Sequence, residues 1–196
     1  MKQNQYAVLG LVLTGSMAVF VGCSKPGGED ASAAQKLGGS FTTEMTLDME
    51  ELQATGTLSR MGDGVWSVSF AEPTTLAGVV LDFCDGEVTA SYKGLAFSVP
   101  QTAMPAKSVL SNLIQVVDSL AQQEEITGEA SDGYVLVEGD LEGNPYTLKL
   151  TKSGELARFE MDNLDAALGF EQFQSGAPVA TATTAVTEAE TEMSAE

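Results

Sequence analysis

The 196-residue chain contains no histidine. That removes the commonest general base at neutral pH and the commonest zinc ligand. Two cysteines, Cys23 and Cys84, are too few for a disulfide framework. Cations are scarce: nine Lys and Arg stand against 28 Asp and Glu, a formal net charge of −19. Nucleic-acid binding needs clustered Lys and Arg to neutralise phosphate, and no basic patch or basic helix occurs, so nucleic acid is excluded as a partner. Nucleophile motifs and glycine-rich phosphate loops are also missing. Neither an enzyme nor a cofactor or metal is expected. Only one hydrophobic run is long, and it lies at the start.

Met1 to Gln5 is short and polar and carries one cation, Lys2; Tyr6 to Val21 is uncharged and almost wholly apolar or small. These are the charged and apolar regions of an export signal. The run is too short to span about 30 Å of hydrocarbon, which takes about 20 residues. Phe20-Val21-Gly22-Cys23 follows, and Ser24-Lys25 turns the chain polar. This stretch resembles the lipobox of bacterial lipoproteins, with Phe20 where leucine is usual. The resemblance implies cleavage before Cys23, acylation of Cys23 (palmitate or a similar chain), and a place on the extracytoplasmic face of the cell membrane. Two or three chains, at about 0.8 kcal/mol per buried CH2, hold a protein on a bilayer where one does not. With Cys23 acylated, Cys84 is the remaining thiol and no intramolecular disulfide can form.

The expected organisation is a signal peptide over 1–22, a lipidated cysteine and flexible tether over 23–39, a folded domain over 40–174, and a disordered acidic Ala/Thr/Glu tail over 175–196. Ser24 to Ser40 has no apolar period, and a helix over Ala31 to Leu37 is too short to stand alone. The tail cannot bury enough apolar area to offset its ordering entropy.

Within the domain, Phe41, Thr43, Met45, Leu47 and Met49 alternate with polar residues, and Leu52, Ala54, Gly56 and Leu58 repeat the pattern. These read as half-buried strands. Trp66-Val68-Phe70 is a third, ended by Glu72-Pro73. Asp85-Gly86 is a hairpin signal between Val79–Cys84 and Glu87–Tyr92; Gly94 reads as a kink or bulge before Leu95–Val99. The period then changes. From Val109 to Ala121 the apolar residues fall on one arc of about 160°, with Asp118 among the polar remainder, which predicts a helix over Pro105–Gln122. Strands resume: Ile126–Ala130, Tyr134–Glu138 as a central or covered strand, Tyr146–Thr151 and Ala157–Met161, with Leu164–Phe173 closing the domain. The fold class is therefore α+β: a curved antiparallel sheet, half-barrel-like, with one amphipathic helix packed across it.

Gly64-x-Trp66, Pro73, Asp85-Gly86 and Tyr92 resemble the outer-membrane lipoprotein carrier (LolA-type) superfamily, which includes mycobacterial cell-envelope lipoproteins that bind acylated lipids. The spacing of Pro73, Leu76, Gly78 and Gly94-Leu95 is similar to that of small Firmicutes lipoproteins. The resemblance spans about Phe41 to Phe173. It implies a half-barrel curled round an apolar cavity, with helices as its lid. The chain departs from that pattern in having only a tether before Phe41, where the carrier fold has a long helix, and in showing fewer strands.

Several side chains are candidates for chemistry. Asp140-x-Glu142-Gly143-Asn144 spaces oxygen ligands as calcium loops do, but the glycine is misplaced and a β-turn is expected. Asp82, Asp85 and Glu87 read as solvated turn carboxylates, and Cys84 as inert packing. Met45, Met49, Leu58, Trp66, Phe97, Leu113 and Val117 either line an apolar ligand cavity between sheet and helix or simply fill the core. Two functions follow. One is a non-catalytic, membrane-anchored lipoprotein binding a lipid or other apolar small molecule. The other is an envelope scaffold with a fully packed core, its protein partners unknown.

Overall fold

The computed structural model describes residues 28–98 and 105–176, with side chains described over 33–98 and 108–176. The expected signal peptide, Cys23 and the tail beyond Gly176 lie outside the described residues.

Among the described residues there are two helices and eleven strands. They are α1 (Gly28–Gly38), β1 (Phe41–Met49), β2 (Leu52–Gly62), β3 (Val65–Glu72), β4 (Val79–Cys84), β5 (Glu87–Tyr92), β6 (Leu95–Ser98), α2 (Pro105–Ala121), β7 (Glu129–Ser131), β8 (Tyr134–Leu141), β9 (Asn144–Thr151), β10 (Leu156–Met161) and β11 (Ala166–Ser175); a single 3-10 turn, Asp162–Leu164, precedes β11. All strands join one antiparallel sheet, ordered β6-β5-β4-β3-β2-β1-β11-β10-β9-β8-β7. The chain thus winds outward from the centre, crosses by α2, and winds back. The expected sheet-and-helix class holds.

Turn chemistry sets the registers. Asp85-Gly86, Lys93-Gly94, Asp132-Gly133 and Glu142-Gly143 each join two strands with both residues at positive φ, the conformation of a two-residue hairpin whose twist matches its strands. Gly94 is therefore a hairpin residue, not a kink within a strand. At Gly56 the need is space: an added Cβ would lie 2.2 Å from the carbonyl oxygen of Ser69 on β3, where the β2–β3 register shifts.

One face of the sheet carries Thr46, Thr55, Ser67, Asp82 and Thr147; the other carries the core. Phe41, Met45, Leu47, Leu58, Trp66, Val68, Leu81, Leu148, Phe159, Met161 and Leu168 are buried there, beneath Val109, Leu110, Leu113, Val116 and Val117 of α2.

The tether expected up to residue 39 is, over Gly28–Gly38, a helix. Ala33, Ala34 and Leu37 are buried in the common core, Ala121 of α2 lies beside Gly38, and Lys36 pairs with Glu155 at 2.7 Å. Eleven residues are marginal as an isolated helix; docking against α2 and the β9–β10 turn supplies what its sequence lacks. Tyr134–Glu138 is also not a covered strand: β8 lies next to the edge, and Tyr134 is exposed. No described helix is long and apolar enough to cross a membrane.

Candidate functional site

The seam between helices and sheet divides into a clamped centre and an open flank. At the centre, β2's inward alternation runs Ala54, Gly56, Leu58, Arg60, so a guanidinium follows leucine into the core, where Arg60 is 2% exposed. Its charge meets Asp118 of α2. Nε and Nη2 of Arg60 donate to Asp118 Oδ1 at 3.0 and 2.8 Å. The second carboxylate oxygen, Oδ2, accepts from Trp66 Nε1 at 2.9 Å and from the backbone N–H of Gly64 at 3.1 Å. Nη1 of Arg60 donates to the carbonyls of Gly38 and Gly39, where the last turn of α1 leaves its acceptors unpaired. One arginine therefore ties both helices to the sheet. Every donor and acceptor of this cluster has a partner, as a buried network requires. Arg60 also lies 5.6 Å from the Trp66 ring, and Trp66 meets Phe41 edge-on with centroids 5.5 Å apart.

Asp118, expected on the wet face of its helix, is instead buried. It sits four residues after Ile114, about 40° further round the helix axis, on the border of the apolar arc, and the Arg60 guanidinium draws it inward.

Of the seven residues expected at a cavity, five meet in this core: Met45, Leu58, Trp66, Leu113 and Val117 are buried in one cluster. Met49, at the end of β1, is partly buried against the margin of that core and also lines an open cleft of about 1000 Å³ shared with Asp48, Glu51, Asp162 and Asp165. Phe97 lies on the edge strand and is 53% exposed. The expected group of seven is thus a packed centre of five, with Met49 at its margin and Phe97 in solvent.

The open flank lies between α2 and β4–β6. A cleft of about 610 Å³ there is lined by Phe83, Val88, Ile114, Ser111, Gln115 and Glu87. Pairing places Phe97 opposite Ala90 and Leu95 opposite Tyr92, so Leu95, Phe97 and Tyr92 share the helix-facing side with Val88 and Ala90. That surface continues past the reach of the helix.

The remaining candidates are turns and surface groups. Asp140 Oδ1 accepts the Gly143 N–H at 2.7 Å, which makes Asp140–Asn144 a capped β-turn. Asp82, Asp85 and Glu87 are exposed; Ser67 donates to Asp82 at 2.8 Å. Cys84, expected to pack, is exposed on the opposite face from the core, because its strand parity matches Asp82 rather than Leu81 and Phe83. Among the described residues no group of three or more His, Cys, Asp or Glu is arranged to hold a metal. Burial raises the Tyr146 pKa, and the Arg158 hydrogen bond lowers that of Glu160; both lie on the β8–β10 side, away from the clamp.

No protein-family model matches the sequence, and no curated protein matches it. Solved structures do. An uncharacterized conserved protein from Thermus thermophilus superposes with a TM-score of 0.50 at 14% identity, over 76% of this chain and 85% of that one. MucB superposes with a TM-score of 0.47 at 14% identity, over 76% of this chain and 58% of its own. A LolA superfamily protein from Nitrosomonas europaea follows with a TM-score of 0.33 at 9% identity, over 78% and 96%. What this chain shares with the Thermus protein is a fold.

Proposed function

We propose that the chain is a non-catalytic, extracytoplasmic lipoprotein, held on the membrane through lipid on Cys23, whose two helices cover an apolar face that takes up a lipid-like ligand. The observation that carries this reading is the clamp of Arg60 on both helices. A buried ion pair is seldom the most stable filling of a core, since apolar residues of similar volume do as well or better. Its distinguishing property is that water can replace its bonds once the seam parts. Arg60 and Asp118 therefore suit a fastening that opens, with Met45, Leu58, Trp66, Leu113 and Val117 as the surface uncovered.

A second reading has its own observation. Those same five side chains are closed into one packed cluster, which favours an envelope scaffold that keeps its core shut. Native mass spectrometry of the full chain, purified gently from cells, separates the two. A stoichiometric adduct that organic extraction identifies as a lipid supports the carrier-like reading. A clean apo mass, unchanged on incubation with lysolipid, sinks it in favour of the scaffold. The anchor has a separate test: Cys23→Ala should leave the protein unprocessed or released, and acyl-free mature wild-type protein beginning at another residue would overturn the lipobox assignment.

A further inference from the structure

The two helices are held to the sheet unequally. α1 is short for an isolated helix, and glycine stands at both of its ends. Its described side chains enter the core at three positions, Ala33, Ala34 and Leu37; of residues 28–32 only Ala31 is apolar. α2 buries Val109, Leu110, Leu113, Val116, Val117 and Leu120. An element with few buried apolar contacts opens by itself, at a lower free energy than the whole domain.

The contacts that dock α1 are close but small. Gly154, in the β9–β10 turn, has φ +80°, and an added Cβ there would lie 2.3 Å from Ala33 Cα. Lys36 Nζ meets Glu155 Oε1 at 2.7 Å, with the two side chains 29% and 32% exposed, so water competes for that pair. The Arg60 bonds fall elsewhere. Nη1 donates to the carbonyls of Gly38 and Gly39, the last residue of the helix and the one after it. Residues 28–37 can therefore leave while Arg60 keeps Gly38-Gly39 in place, and two adjacent glycines absorb the change of direction there.

On the reading that Cys23 carries the anchor, such a release has a consequence. Only residues 24–27 separate Cys23 from α1, so with α1 docked the fully extended link spans at most about 18 Å. With residues 28–37 released, the limit measured to Gly38 becomes about 54 Å. We propose that α1 is a releasable strap that stores residues 28–37 as spare tether. Docked, it holds the domain close to the bilayer; released, it lets the sheet and α2 reach further while both stay folded and the Arg60–Asp118 pair stays closed.

Native-state hydrogen exchange of the full chain tests the strap. The amides of Ala34 and Leu37 should exchange at least about a hundredfold faster than those of Leu113 and Val117, with little dependence on urea, as a local opening does. Ala34→Pro breaks the helix from within; it should erase the α1 protection and move the main melting transition by less than about 5 °C. Exchange of α1 and α2 together at every urea concentration, or unfolding of the whole domain by Ala34→Pro, would overturn the proposal. The reach is read by energy transfer from a dye on Cys84 to an acceptor lipid in phosphatidylcholine vesicles carrying the full-length lipoprotein. Ala34→Pro should lengthen the mean distance by about 10 Å, the difference between flexible links to Gly28 and to Gly38. Lys36→Glu, which sets a like charge against Glu155, should move it the same way by less. Equal transfer from all three proteins would overturn the tether role. A wild-type protein that does not join the vesicles would overturn the Cys23 anchor and the reach inferred from it, whereas the strap stands or falls by exchange alone.

Discussion

β3 and β6 obey one alternation and meet different fates. Trp66, Val68 and Phe70 of β3 are buried, and Leu95 and Phe97 of β6 point to the same side of the same sheet yet stand in solvent. The difference is cover. The buried residues of α2 share one core cluster with the central strands, and Leu95 and Phe97 of β6 are not part of it. Alternation states which face is apolar; it does not state how far the covering layer extends. The centre is closed by α2 and fastened by Arg60, and the side chains of β6 are left exposed.

The comparison can be broken most severely from the helix. Leu113→Asp should unfold the domain, because an unpaired charge buried in the core costs several kcal/mol; an unaltered melting temperature would mean that α2 does not cover the centre. Asp118→Ala should come next. It leaves Arg60 buried without its carboxylate and also strips the Trp66 and Gly64 donors of their acceptor, at a cost of about 3–5 kcal/mol by denaturant titration. The double change Arg60→Met with Asp118→Leu should recover most of that loss, and a double variant as weak as the single would refute the picture of a replaceable ion pair.

The contrast between strands has a direct measurement. Phe70→Ala should cost about 3–5 kcal/mol, and Phe97→Ala should stay within about 0.5 kcal/mol; equal losses would show that the β6 flank is packed after all. The smallest effect is electrostatic. The Arg158 hydrogen bond at 2.7 Å lowers the Glu160 pKa in the folded state. Its stabilising contribution is therefore present above the ordinary carboxylate range and is lost as pH falls through the lowered folded value. Arg158→Gln should lower the melting temperature slightly near neutrality and leave it unchanged in strong acid, so that the acid limb of the profile flattens; the effect is small because the pair is partly exposed. A difference between the two proteins that persists unchanged into strong acid would assign the loss to packing instead of charge.

Much of this was legible beforehand. Most strands, turns and the helix from Phe41 to Met161 follow from period and turn chemistry, which act within a few residues, but β7 is Glu129–Ser131 where Ile126–Ala130 was expected, and β8 runs on to Leu141 past the expected Glu138. Arg60 was also legible in part. It continues the inward series of Ala54 and Leu58, but an inward charge names no partner, and Asp118 lies 58 residues away on another element. The α1 helix escapes a reading of the sequence for the same reason. Ala33, Ala34 and Leu37 make an apolar stripe too short to hold a helix, and only the surface of α2 makes it worth ordering. Cys84 had a local signal that points away from packing: its parity with Asp82 places it on the wet face.

The sequence by itself determined what is local: which residues alternate, where the chain turns, that α2 is amphipathic, and that the protein carries a large negative charge without histidine. The tertiary structure alone decided which apolar face is covered and which is left open, that one arginine fastens two helices, and that five of seven candidate residues form a core. Those outcomes depend on contacts between distant segments, whose energies arise only when the sheet has brought its far strands and both helices together.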